Sequence, residues 1–369
     1  MDDLSTVVSI LQDLVAIPST PGQHNTTWLR YVTTRLRAAG CDVTQVPAPD
    51  QSCSGVLARI GPDVAGGLVL SGHCDVVSVD GQTWSGDPFA LRQHGTRLIG
   101  RGTADMKGFV ACAIAVIEAA AQTDIQTDLR RPITLALSAD EETSCQSAYS
   151  LATQIADVGP APSGVVVGEP TLLQAINRHN GSYTYRVDVT GRPAHASTPE
   201  LGANAVALAA RLIAWLDDQS AVTSTKGATT HSVGVIHGGN ASNIIPEHCS
   251  FEWDLRLAHS DDLDTITGLF MAQAERLRMP NITVKLTQTA AFPGFLTDPN
   301  TPFAQRCLSV SSASEFSQMS AGTEAGIFQD AGMPVIVMGP GDMAQAHTAD
   351  EYIDRDQLVR CVTQLRQLV

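Results

Sequence analysis

Three consecutive acids, Asp140, Glu141 and Glu142, follow the apolar run Ile133 to Ser138 in the stretch ALSADEETSC. Two physical readings fit them. Ser138 and Glu141 match the S-x-x-E capping box, and acids favour a helix N-terminus. Alternatively a cation lies beside them, which requires ligands from other parts of the chain. His73 and Asp75 in LVLSGHCDVV end a strand-like run two residues apart, so an extended backbone puts both side chains on one face and turns Cys74 away. A carboxylate beside an imidazole fixes its tautomer and frees the other nitrogen for a metal, although a histidine at a strand end can equally be an ordinary hydrogen-bonded residue.

Asp105 and Lys107 in GRGTADMKGFV lie on a glycine-rich turn that opens a helix. That turn lacks the phosphate-loop spacing, because Lys107 is followed by Gly108 and Phe109, and an acid there repels phosphate. Glu169 ends the run VVVGEP, and His347 lies in GPGDMAQAHTADEY. Singly, each has a plain explanation as a cap, a turn or a surface group. Together, two histidines and several carboxylates at one sheet edge match what two divalent ions about 3.5–4 Å apart need, a bridging ligand and a pair of N or O ligands each. Ligation without cysteine favours zinc, with cobalt or manganese as substitutes.

The elements that must position these groups can be read from hydrophobic period. Apolar residues recur at helical spacing from Leu4 to Val15 and from Thr26 to Ala39. Strands are expected at Cys41 to Val46, Gly55 to Ile60, Gly67 to Ser71, Ile133 to Ser138 and Gly164 to Val167, and helices at Gly108 to Ala121 and Thr143 to Ile155. This alternation predicts an α/β fold, an open sheet with helices on both faces and ligands beyond the carboxyl ends of the strands. Near Ile176 the pattern changes to β-α-β-β-α-β, a ferredoxin-like inserted domain, and PVIVMG and the helix Arg355 to Leu368 then return to the first pattern. The expected division is residues 1–177 with 289–369, and an insert at 178–288.

The formal net charge of -15 argues against nucleic acid or an anionic membrane as partner. Hydrophobic content of 43% with 17% charged residues suits a soluble enzyme with a large core. The eight cysteines show no C-x-x-C spacing and read as reduced thiols. The acidic start MDDLSTVVSILQDL does not resemble a secretory signal, and the most apolar helix is short and holds Glu118, so a cytoplasmic protein is expected.

SGHCDVV, GRGTADMKG, SADEETS, VGEPT, GRPAHASTPELGANAV and AHTADEY stand in one order along nearly the whole chain. In this the sequence resembles the dinuclear zinc amidohydrolases that include acetylornithine deacetylases, succinyl-diaminopimelate desuccinylases, aminoacylases and glutamate carboxypeptidases. The resemblance implies that His73 and Glu169 bind one metal, Glu142 and His347 the other, and Asp105 bridges them. It further implies that Asp75 orients His73, that the peptide after Asp105 can be cis, and that Glu141 is the catalytic base. His195 would hold the oxyanion of a neighbouring subunit in a homodimer formed through the inserted lid domain. Arg256 and Asn243 would hold the substrate carboxylate, although by sequence alone Arg256 is a solvated strand charge beside Glu252 and Asp254. Glu324 would contact a cationic substrate side chain or else support the metal loop.

SAGTEAGIFQDAGMPVIVMGPGDMAQAHTADEYI most resembles the acetylornithine deacetylase branch, with two departures: Asn180 where a lysine is usual, and Asp342 where a serine is common. The expected activity is therefore metal-dependent hydrolysis of an N-acyl amino acid, N-acetylornithine foremost. Desuccinylase, aminoacylase and carboxypeptidase activities are the rivals within that chemistry, and a non-catalytic binding protein of the same fold is the rival outside it. No G-x-S-x-G elbow marks a serine hydrolase.

Overall fold

Runs such as LVLSGH, ITLALS, GVVVGEP and VIVMG have too few polar residues to face water on either side, and each becomes a strand buried along nearly its whole length. A computed structural model describes residues 3–20, 26–122, 129–221, 228–258 and 261–369. The chain forms two compact units, one of Met1–Arg178, Phe295–Met319 and Thr323–Val369, the other of His179–Gly294 with Ser320–Gly322.

In the first unit the strands are β1 (Asp42–Pro47), β2 (Ser54–Ile60), β3 (Leu68–His73), β4 (Arg92–His94), β5 (Arg97–Ile99), β6 (Ile133–Ser138), β7 (Gly164–Pro170) and β8 (Ile176–His179). After the second unit come β15 (Phe295–Leu296), β16 (Ser317–Met319), β17 (Val335–Gly339) and β18 (Tyr352–Asp354). The main sheet runs β1-β2-β6-β3-β7-β17-β8-β15, with β16 beside β8. Its centre, β6, β3, β7 and β17, is parallel, while β1 and β2 add antiparallel at one side. The helix Lys107–Gln122 is buried from Lys107 to Ile117 and packs against the helices Asp3–Val15 and Arg355–Leu368. On the other face lies the helix Gln146–Val158, packed on β2 and on the helix Ala325–Asp330.

Close approach at the sheet centre depends on glycine. A Cβ on Gly168 would lie 2.0 Å from the Phe109 ring, and one on Gly339 would lie 2.0 Å from the Gly168 carbonyl oxygen. The aromatic ring thus sits directly on the backbone that precedes Glu169.

The second unit holds β9 (Gly181–Thr190), β10 (Ala194–His195), β11 (Thr230–Gly238), β12 (Ile244–Ile245), β13 (His248–Leu257) and β14 (Thr283–Phe292), with helices Ala205–Ala221 and Leu263–Leu277. Its antiparallel sheet runs β11-β13-β9-β14, the ferredoxin-like order for a β-α-β-β-α-β chain. β13 alternates strictly between buried and less buried positions, and its buried Trp253 meets Phe270 and Tyr185 with ring centroids 4.9 and 5.3 Å apart. This unit therefore has a core of its own.

The Gly168 contact yields a test. Gly168→Ala forces Phe109 or β7 to move and is expected to cost about 1–3 kcal/mol in denaturant unfolding; unchanged stability would show that this packing is loose.

Candidate metal centre

All four parallel strands of the main sheet end at one edge, and each end carries a group able to bind a cation. β3 stops at His73, β6 leads into Asp140–Glu142, β7 carries Glu169 just before its end, and the chain leaving β17 reaches His347. The turn before the helix Lys107–Gln122 adds Asp105, whose peptide to Met106 is cis. His73 Nε2 lies 3.1 Å from Asp105 Oδ1, 3.9 Å from Glu141 Oε2 and 4.0 Å from Glu169 Oε1. His347 Nε2 lies 3.4 Å from Asp105 Oδ2 and 3.0 Å from Glu142 Oε2. Each oxygen of Asp105 therefore faces a different imidazole. His73, Asp105 and Glu142 form one group with ligand atoms close enough to share an ion, and His73, Glu141 and Glu169 form another.

The electrostatics of the cluster are those of a cation trap. Among the described residues no lysine or arginine pairs with Asp105, Glu141, Glu142 or Glu169; the ion-pair partners are the two histidines. Burial, reinforced by neighbouring acids, pushes the Glu141 and Glu169 carboxyls well above the ordinary range. Burial opposes the charge on His73, but the Asp105 hydrogen bond and the surrounding acids outweigh it and hold the imidazolium well above its usual pKa. Hydrogen bonds to Asp105 and Glu142 raise His347 to about 10. Burial disfavours the Asp105 charge too, yet its two imidazole partners pull its pKa down. Such a set, N and O donors with excess buried negative charge, fits divalent cations and gives them no thiolate.

The supporting residues depart from expectation in two ways. His73 Nδ1 donates to the backbone carbonyl of Asp75 at 2.9 Å, whereas the Asp75 carboxylate is 3.6 Å away. β3 ends at His73, so the alternation assumed for an extended H-x-D no longer holds there. The Asp75 carboxylate instead accepts from the backbone N–H groups of Glu141 and Glu142, at 3.2 and 2.9 Å. Secondly, the helix expected from Thr143 begins at Gln146, and Glu141 takes no part in a capping box. Asp140 caps that helix, accepting from the backbone N–H groups of Gln146 and Ser147 and from the Ser144 and Ser147 hydroxyls. Asp140 thus anchors the loop from behind, and Glu141 and Glu142 are left to face the cluster.

Lys107 Nζ points away, donating to the carbonyls of Leu14 and Ile17 at 3.0 and 2.9 Å, and burial lowers its pKa to about 8. Glu324 is 1% exposed and accepts from the Ser71 hydroxyl at 3.2 Å, a placement that favours the supporting alternative over contact with a substrate side chain. Asp342 accepts from Ala344 N–H and so closes the short turn that leads toward His347.

The second unit carries the remaining three residues. His195 is exposed on β10, which pairs with β12, and the Asn243 carbonyl accepts from Ala196 N–H at 2.9 Å. Ser197 N–H donates to His195 Nδ1 at 3.1 Å, so a neutral ring carries its proton on Nε2, the outward donor. Arg256 stands apart from that strand pair near the far end of β13, held bidentate by Asp254 at 2.8 and 3.0 Å. In this conformation Arg256 shows the paired strand charge that its sequence neighbours suggest.

One buried acid escaped the sequence reading. Glu351, 0% exposed, accepts from the N–H groups of Gly102, Ala104 and Asp105 and from the Arg101 guanidinium. Both residues lie in stretches already singled out, GRGTADMKG and AHTADEY, but nothing in their spacing shows that they meet.

Comparison with known proteins gives the family. The family model for Peptidase family M20/M25/M40 matches residues 69–369. An acetylornithine deacetylase of Klebsiella pneumoniae (strain 342) is 31% identical, covering 100% of this chain and 97% of that protein. Another, from Pectobacterium carotovorum subsp. carotovorum (strain PC1), is 32% identical over 95% of this chain and 94% of its own length. Among solved structures, an M20 family metallo-carboxypeptidase from Sulfolobus solfataricus superposes with a TM-score of 0.80 at 16% identity, covering 100% of this chain and 98% of that one. A dinuclear metal-binding M20 peptidase from Bacillus subtilis gives 0.74 at 14% identity, covering 99% and 97%. A converging set of histidines and carboxylates at the sheet edge, with a family match over most of the length, makes this chain a metal-dependent hydrolase belonging to Peptidase family M20/M25/M40.

Proposed function

We propose that this enzyme hydrolyses the amide bond of an N-acyl amino acid, with N-acetylornithine, giving ornithine and acetate, as its principal substrate. The observation that carries the reaction type is Asp105, whose two carboxylate oxygens separately approach His73 and His347 with Glu141 in the same cluster. The substrate assignment is supported by full-length relatives named acetylornithine deacetylase. In this reading His73 and Glu169 hold one divalent ion, Glu142 and His347 the other, and Asp105 spans both. Zinc is the ion we favour for this donor set.

When bound, such ions polarise the amide carbonyl and lower the pKa of a water toward about 7. The chain's own contribution is proton traffic. A Glu141 Oε takes a proton from the attacking water as the new C–O bond forms, then gives it to the amine nitrogen as the C–N bond breaks. Burial of Glu141 among Glu169, Glu142 and Glu324 suits the second step, since these neighbours favour the protonated acid. The Asp75 carboxylate, fixed on the N–H groups of Glu141 and Glu142, keeps the acid aimed.

For the second unit we propose that His195 donates from Nε2 to the oxyanion of a neighbouring copy in a dimer. Arg256 and Asn243 are our candidates for the substrate carboxylate, which for Arg256 requires exchange with Asp254. A cytosolic location completes the reading.

An amine-release screen of N-acetyl, N-succinyl and N-formyl amino acids with zinc or cobalt supplied tests the assignment. Cleavage of N-acetylornithine well above neutral acyl amino acids is expected, and equal rates across side chains would remove it. Glu141→Gln should lose about 10²- to 10⁴-fold in kcat while elemental analysis still finds both ions. His195→Ala should lose about 10²- to 10³-fold in kcat, and Arg256→Met should raise KM for α-carboxylate substrates; wild-type constants in either would return that residue to the surface.

A further inference from the structure

Glu351, Arg101 and Gln82 touch none of the groups that would bind or react, yet they form a continuous chain between the two loops that do. At one end Glu351 Oε1 accepts from Ala104 N–H at 2.9 Å and from Asp105 N–H at 3.0 Å, while Oε2 accepts from Gly102 N–H at 2.9 Å. A single buried carboxylate thus gathers three backbone donors of the turn that presents Asp105. Gly102 takes φ +81°, and a Cβ there would meet Val76 at 2.8 Å, so the turn admits no side chain at that point.

In the middle, Arg101 is 1% exposed. Its Nη1 donates to Glu351 Oε2 at 2.8 Å and its Nη2 to Gln82 Oε1 at 2.5 Å, with the guanidinium 5.1 Å above the Trp84 ring. Trp84 Nε1 donates to the same Gln82 oxygen at 3.1 Å, which fixes the amide's orientation. At the far end Gln82 Nε2 donates to the His347 backbone carbonyl at 2.7 Å. His347 has φ +62°, in the left-handed region that a non-glycine residue holds only when its surroundings impose it.

We propose that Glu351, Arg101 and Gln82 are positioning residues that set the separation of Asp105 from His347 and thereby the affinity for the ion those two share. The inference rests on the two-ion reading of the site. Its physical basis is that a planar guanidinium and a carboxylate with four partners have few alternative geometries, so the relay transmits position between two loops distant in sequence. A buried pair of this kind is weak evidence for net stability, which is why geometry is the function assigned to it.

Gln82 is half-buried, and replacing it leaves the core intact. In zinc titrations against a competing chelator, Gln82→Ala should keep one wild-type affinity and weaken the other about 10- to 100-fold, the usual effect of losing an outer partner of a ligand. Gln82→Glu separates the links: it keeps the acceptor for Arg101 and Trp84 but has no N–H for the His347 carbonyl, so it should be as deficient as Gln82→Ala. Glu351→Gln, which loosens the turn that carries Asp105, should weaken both ions, with a changed cobalt absorption spectrum. The melting temperature of the metal-free Gln82 variants should match the wild type. Wild type with two ions and variants with unchanged affinities would overturn the relay alone. Equal loss of both ions in the Gln82 variants, with a lowered metal-free melting temperature, would reduce it to general stability and also overturn it. A wild type that binds fewer than two ions would sink the two-ion reading and the relay with it.

Discussion

The structure depends on holding several carboxylates together out of water at one end of a parallel sheet. Two like charges 4 Å apart at an effective dielectric near 20 repel by about 4 kcal/mol, and here Glu141, Glu142, Glu169 and Asp105 crowd around two imidazoles with no lysine or arginine paired to them among the described residues. The protein cannot relieve this by solvation, because Asp105, Glu141 and Glu169 are each under a tenth exposed. What relief there is shows in the protons: the histidines and two of the glutamates hold theirs tightly, the histidines thereby staying positive, and Asp105, between both rings, is driven toward its carboxylate form. A site with that imbalance is organised around cations, and the remaining features can be read as means of assembling it.

The acids near the centre divide by partner. Asp75, Asp140 and Glu351 have their oxygens satisfied by backbone N–H groups of the very loops that carry the cluster. Asp105, Glu141, Glu142 and Glu169 face one another and the histidines. The first set fixes loop backbones, since an N–H is a good partner for a carboxylate, even though burial raises the Asp75 and Glu351 carboxyls. That fixation lets the second set be repulsive without unravelling. Residue type alone does not distinguish the two sets; the direction in which each carboxylate finds its donors does.

Much of the fold follows from local pattern. The helix Arg355–Leu368 and the strand Ile133–Ser138 fall where hydrophobic period places them, and the β-α-β-β-α-β order of the second unit is visible because β13 alternates cleanly and its helices are amphipathic. Boundaries failed where a side chain competes with the helix: the helix is expected from Thr143, but Asp140 caps one that starts only at Gln146. The H-x-D geometry failed for a related reason, because the strand ends at His73 and the Asp75 carbonyl takes the place expected for its carboxylate.

By itself the sequence determined the element types, the α/β class and the order of His73, Asp105, Glu141, Glu142, Glu169 and His347, since these depend on near neighbours and on motifs that each fit within a few residues. Only the tertiary structure decided which oxygen of Asp105 faces which histidine, that Glu324 is buried with its carboxylate on the Ser71 hydroxyl, and that Glu351 reaches Arg101 and the Asp105 turn across some 250 residues of chain. Those facts are products of packing: a hydrogen bond between segments so far apart exists only after the sheet has brought their ends together, and local propensity carries no information about it.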